Sequence, residues 1–133
     1  MTTDGRYVGG LVGRHRFAKA ITNVSATGEI NAGGSSAGGL FGSSQSRSIE
    51  NASATGNVTT DGQEVGGLIG ELRGGTVTDS FATGDVESSS NGYVGGLIGD
   101  YRDKNSRGDS LFRNVSAAGE VTGGGRHVGG LIG

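Results

Sequence analysis

Val94-Gly95-Gly96-Leu97-Ile98-Gly99 is the stretch whose reading decides the fold. Near-copies stand at residues 8–13 (VGGLVG), 37–42 (AGGLFG), 65–70 (VGGLIG) and 128–133 (VGGLIG). The five copies begin 29, 28, 29 and 34 residues apart. A fixed period in this range marks one supersecondary unit stacked on itself, in which each unit buries its apolar face only against its neighbours. The architecture expected is all-β: a right-handed parallel β-helix, or β-solenoid, of about four and a half coils. The coils cover residues 8–36, 37–64, 65–93 and 94–127, with partial coils at 1–7 and 128–133.

A second motif half follows each glycine motif after a loop. It reads ITNVSATGEI at 21–30, IENASATGNV at 49–58, VTDSFATGDV at 77–86 and FRNVSAAGEV at 112–121. The segments are short, β-branched and broken by Gly, with no apolar spacing of the helical kind. Parallel stacking sets equivalent residues about 4.8 Å apart in files along one axis. The files expected to face inward are Leu11/Leu40/Leu68/Leu97/Leu131, Ile21/Ile49/Val77/Phe112, Ala26/Ala54/Ala82/Ala117 and Ile30/Val58/Val86/Val121. The small Ala file and the paired glycines imply a thin cross-section with closely approaching backbones. Val12/Phe41/Ile69/Ile98/Ile132 follow the Leu file by one residue, so strand alternation places them outward unless a bulge turns them in or another surface covers them. Asn23/Asn51/Asp79/Asn114 form a side-chain ladder suited to a corner between strands, in which Asp79 cannot donate.

Composition narrows the function. Gly is 30 of 133 residues, Pro and Cys are absent, and net charge is −2. Collagen is excluded, since neither Pro nor a three-residue period is present. No global field draws the chain to nucleic acid or a membrane, no run reaches transmembrane length, and thiolate metal sites and disulfides cannot form. Thr2-Thr3-Asp4-Gly5 reproduces Thr59-Thr60-Asp61-Gly62, so the chain is read as opening in mid-repeat, as a slice of a longer solenoid.

The pairing of VGGLIG with a downstream N-x-S/F-A-T-G-x-V resembles the GLUG-motif repeat of bacterial surface proteins. That repeat is found in adhesins related to filamentous haemagglutinin and in streptococcal immunoglobulin A1 proteases outside the catalytic domain. The resemblance spans essentially all of residues 1–133. It implies an extracellular, non-catalytic β-solenoid within a modular surface protein, and names no ligand.

Candidate chemistry lies on the surface. Arg107-Gly108-Asp109, in the longest loop, sets a guanidinium and a carboxylate across one Gly, as integrin-attachment tripeptides do; the alternative is a polar loop that spells this by accident. Arg14, Arg16, Lys19, Arg47, Arg73, Arg102, Lys104 and Arg107 follow the glycine motifs and suit an anionic glycan, teichoic acid or nucleic acid. With Glu71, Asp100, Asp103 and Asp109 interleaved, they suit a solvated mixed-charge edge better. Glu29, Asn57, Asp85 and Glu120 share another file, where stacked carboxylates repel unless a cation bridges them or Asn spaces them; repulsion softened by water is the reading favoured. No loop supplies the ligand number of a calcium site, and His15 and His127 lack metal-ligand spacing. Thr27, Thr55 and Thr83 form a Thr file that Ala118 interrupts, too sparse for an ice-binding face. Asn23, Asn51, Asn57 and Asn114 each open an N-x-S/T triplet that the repeat itself generates.

Taken together, the residues favour a structural or adhesive segment, a rigid stalk or fibre, with no cofactor and no metal. Two other readings stand beside it: a direct binding module working through the loops, and a fragment of a glycan-cleaving β-helix enzyme. The partners expected are flanking repeats, end-to-end copies, and a host receptor or glycan.

Overall fold

The computed structural model describes residues 2–16, 19–103 and 111–133. Every named strand pairs in parallel with its counterpart one coil away, in four sheets, and no helix is present among these residues. The first sheet holds the strands of the glycine motif: Tyr7–Gly9, Ser36–Gly38, Glu64–Gly66, Tyr93–Gly95 and His127–Gly129. The second holds Val12–His15, Phe41–Ser44, Ile69–Arg73 and Ile98–Arg102, and the third Ala20–Ala26, Ser48–Ala54, Thr76–Ala82 and Phe112–Ala117. The fourth holds Thr2–Thr3, Ile30–Ala32, Val58–Thr60, Val86–Ser88 and Val121–Gly123. The register follows the repeat, with Val65 between Ala37 and Val94, and Val86 between Val58 and Val121. The β-solenoid expected from the period is therefore the fold.

The sheets enclose two separate cores. Leu40, Phe41, Leu68, Ile69, Leu72, Leu97 and Ile98 pack on Ile49, Ala52, Ala54, Val77 and Ala82, joining the second sheet to the third. Leu11, in an outermost coil with a neighbour on one side only, is 50 % exposed and departs from its file in this respect. Val8, Ala37, Val65 and Val94 pack on Ile30, Val58 and Val86, joining the first sheet to the fourth. Between these cores the first and second sheets lie back to back, and glycine makes that possible. A methyl group built on Gly66 would sit 2.0 Å from the Ile69 carbonyl oxygen and 2.7 Å from the Gly99 nitrogen. One built on Gly70 would sit 2.7 Å from the Ala37 nitrogen and 2.8 Å from its oxygen. The Ala file has the same origin, because a methyl on Gly39, Gly67 or Gly96 would already meet the Cβ of Ala54, Ala82 or Ala117 within 2.9 Å.

Two local devices depart from simple strand alternation. At the Gly-Gly-Leu corner, successive amides donate to one carbonyl: Leu40 and Phe41 N–H reach the Leu68 oxygen at 2.9 and 3.1 Å. Leu68 and Ile69 do the same to Leu97, at 2.9 and 3.0 Å. The chain is not extended there, so both side chains turn inward. Phe41, Ile69 and Ile98 are at most 1 % exposed, so of the placements left open for this file the inward turn is the one observed. The other device is the Asn ladder. Asn23, Asn51, Asp79 and Asn114 carry φ of 55°, 51°, 50° and 50°. They sit inside the third-sheet strands rather than at a corner between strands; every coil carries one at the same place, so pairing stays one to one on either side, and these left-handed bulges reset the alternation. Ile49 and Ala52, three residues apart, are thereby both buried. The same bulge buries Ser80 beneath Ala52, where its hydroxyl donates to Thr78 O at 2.8 Å and accepts the Ala52 N–H at 3.1 Å.

The ladder is broken where the sequence indicates. Asn51 Nδ2 donates to Asn23 Oδ1 at 2.6 Å and Asn114 Nδ2 to Asp79 Oδ1 at 2.7 Å, but Asp79 offers Asn51 no proton. Asp79→Asn restores the missing rung and should stabilise the fold by about 0.5–1.5 kcal/mol, the net value of one hydrogen bond. Urea unfolding of the two proteins measures it, and a less stable variant contradicts the ladder. Gly66→Ala should cost about 1–3 kcal/mol or more, as overpacking against backbone does. Gly28→Ala, where a methyl meets nothing within 4 Å, should stay within about 0.5 kcal/mol; equal losses at both sites would refute the back-to-back contact.

Candidate functional site

The residues that flank the glycine motif meet at the mouth of the back-to-back seam. Each coil leaves the first sheet, turns at the corner and returns along the second, so the residue before the motif comes to face the residue after it. Arg14 lies over the Tyr7 ring at 4.5 Å in this way. Glu64 and Glu71 stand in the same relation one coil pair further on. Ser36 Oγ donates to Glu64 Oε2 at 2.8 Å, and Ser43 Oγ to Glu71 Oε2 at 3.0 Å, each serine coming from the preceding coil.

Arginines from the second sheet close the group. Arg73 Nε donates to Glu71 Oε1 at 2.8 Å. Arg102 donates through Nε to Asp100, and lies 3.7 Å from Glu71 and 3.6 Å from Glu64 across the seam. Glu71 is 2 % exposed and its carboxylate is fully engaged. Burial pushes Glu64 above the ordinary carboxylate value of 4.5; the Ser36 hydrogen bond pulls it back, the Glu71 charge raises it, Arg102 lowers it and Asp100 raises it. The hydrogen bond to Asp100 holds Arg102 further up still. Together Arg6, Tyr7, Ser36, Glu64, Arg73 and Arg102 border a polar hollow of about 220 Å³.

This cluster of three carboxylates and two arginines was not foreseen as a unit, although Glu71, Arg73, Asp100 and Arg102 appear among the interleaved charges. Its signal is positional: Glu64 immediately precedes VGGLIG and Glu71 immediately follows it. Recognising the motif as a turn-back would have paired them. The register sets Arg73 beside Arg102, but Arg14 beside Ser43, so the basic residues form no single file. Lys104, Arg107, Gly108 and Asp109 lie outside the described residues.

In the acidic file on the far corner, side-chain oxygens meet backbone amides of the next coil. Asn57 Oδ1 accepts the Asp85 N–H at 2.9 Å, and Asp85 Oδ1 accepts the Glu120 N–H at 2.8 Å. A short side-chain oxygen thus caps the first amide of the next coil's turn, a role that explains the Asx residues there. His15 Nδ1 lies 3.1 Å from Ser46 Oγ, and His127 stacks on Tyr93 at 4.6 Å. Among the described residues no group of three or more His, Cys, Asp or Glu could hold a metal ion.

Parallel coils, glycine-zipped sheets and paired surface charges define a repeat solenoid. Residues 4–31 and 61–87 match the model of the GLUG motif. The chain is a segment of GLUG-motif repeats. It is also similar to a halomucin from Haloquadratum walsbyi (strain DSM 16790 / HBSQ001), 42 % identical over 146 aligned residues that take in 99 % of this chain. The chain spans about 2 % of the length of that curated relative. No solved structure matches it.

The seam cluster makes stability depend on pH in a defined direction. A carboxyl whose folded value lies above 4.5 binds its proton more tightly folded than unfolded. Its contribution is therefore full below 4.5 and is lost as pH rises through the folded value. Glu64→Gln should remove that loss: whatever the offset between the two proteins at low pH, the variant gains on the wild type as pH rises above 4.5. Urea unfolding of both proteins from pH 4 to 7 checks it, and a variant that falls behind as pH rises would reverse the assignment.

Proposed function

We propose that this segment is a non-catalytic spacer within a larger extracellular protein, a rigid rod that sets other parts of that protein apart. The observation that carries the reading is axial continuity. The register between coils is unbroken, and both cores run along the stack. Donation at the corner points one way, from Leu11 N–H to Leu40 O and onward from Leu97 N–H to Leu131 O. The match to a stretch of a far longer halomucin and the resemblance to adhesin repeats support an outward-facing location. The carboxylates of the seam are each met by arginine or serine, which suits a tie between sheets better than an acid–base pair poised for glycan cleavage.

A rod of this kind lengthens in proportion to its coils. Electron microscopy of fragments of the parent protein carrying increasing numbers of repeats should show contour length growing by about 4.8 Å per coil. End-to-end distances that grow as the square root of residue number, as in a flexible linker, would refute the proposal. Rods at integer multiples of the fragment length would mark head-to-tail addition, a heterologous contact that does not close.

A further inference from the structure

Four asparagines open an N-x-S/T triplet, and the fold separates them. Asn23, Asn51 and Asn114 sit on the left-handed bulges of the third sheet. Their file is tied by amide bonds, in which Nδ2 of Asn51 and of Asn114 is the donor. A substituent on either nitrogen would remove a rung or crowd a neighbour about 4.8 Å away.

Asn57 is different in each respect. It is exposed, its φ is not in the left-handed region, and it stands alone as an asparagine in the file of Glu29, Asp85 and Glu120. Among the described residues its side chain accepts the Asp85 N–H, which assigns Oδ1 to that bond and leaves Nδ2 of this exposed residue outside it. The triplet continues through buried Val58 to exposed Thr59, so acceptor amide and hydroxyl emerge on the same face of the fourth sheet.

We propose that Asn57 is an attachment site for an N-linked glycan, and that the three ladder asparagines are not. The inference rests on the extracellular reading above. The reaction needs a sugar carried on a polyprenyl phosphate or diphosphate and the enzyme that transfers it. Asn57 Nδ2 attacks the anomeric carbon, the N–C bond forms, and the C–O bond to phosphate breaks with its electron pair on the phosphate oxygen. One Nδ2 proton passes to a base of that enzyme. The product keeps Oδ1, and with it the Asp85 hydrogen bond, so the coil contact is undisturbed. With carboxylate-bearing residues above and below, the sugar meets no second glycan in its file.

The test uses the full-length protein on its own cells, shaved with trypsin from outside. Cleavage after Arg47 and Arg73 releases residues 48–73, which hold both Asn51 and Asn57, and fragmentation in the mass spectrometer locates any sugar. The result expected is a released peptide with a glycan on Asn57 and a bare Asn51. Thr59→Ala, which leaves Asn57 and its hydrogen bond in place, should abolish the added mass, and Thr59→Ser should keep it. A released peptide that is bare, or modified only at Asn51, overturns the proposal while the extracellular reading stands. A peptide recovered bare from lysed cells and never from intact ones overturns both.

Discussion

The contact on which the rest of the structure depends is one between backbones. Where the first and second sheets lie back to back, glycines stand opposite carbonyls and amides with no room for a Cβ: a methyl on Gly66 would fall 2.0 Å from Ile69 O, well inside contact distance. Because that approach is so close, each coil can fold its chain back into its own middle and wall off two cores instead of one. Each core is then only one side chain deep from either sheet, so Val, Ala, Leu and Ile fill it. A chain with only 32 % hydrophobic residues and 30 glycines can form a packed solenoid for this reason. Its glycines bring backbones into the close contact that side chains provide elsewhere.

Folding back in this way leaves backbone groups at two sharp corners that the sheet ladders cannot reach, and buried polar groups must find partners. At the glycine corner a carbonyl with two lone pairs takes two successive amides from the coil before it. At the opposite corner a side-chain oxygen of Asn57 or Asp85 takes the first amide of the next turn. Both solutions direct hydrogen bonds along the axis. The corners therefore add to axial stiffness, and the spacer reading draws on the same bonds that close the coil.

Much of this was legible in the sequence because a repeat turns one-dimensional periodicity into three-dimensional files. The period yields the solenoid, the Leu, Ala and Val files yield most of the core, and Asp79 marks the rung that fails. The residues left open or misread are those where the backbone leaves the extended region. Phe41, Ile69 and Ile98 could be placed inward or outward because alternation assumes a strand, and the corner carbonyl that breaks it has no residue signature of its own. Asn23 and its file read as a corner because Asn tolerates left-handed dihedrals in turns, and the same tolerance serves a bulge. The seam cluster was hidden for a related reason. Glu64 and Glu71 are neighbours only once the motif between them is known to double back.

The files also differ in how much variety they accept, and the difference follows from what each one touches. Val8, Ala37, Val65 and Val94 face a core and stay small and apolar. Their immediate neighbours Tyr7, Ser36, Glu64, Tyr93 and His127 share one register yet range from aromatic ring to hydroxyl to carboxylate. That file opens at the seam mouth, where a side chain meets water and the returning second sheet but no packed interior. A charge placed there can be balanced locally, as Arg73 and Arg102 balance Glu64, Glu71 and Asp100, without altering the coil beneath. The stack thus confines its constraints to glycine, core and corner positions, and the seam mouth and outer corners are where one copy of the repeat can acquire a surface unlike the next.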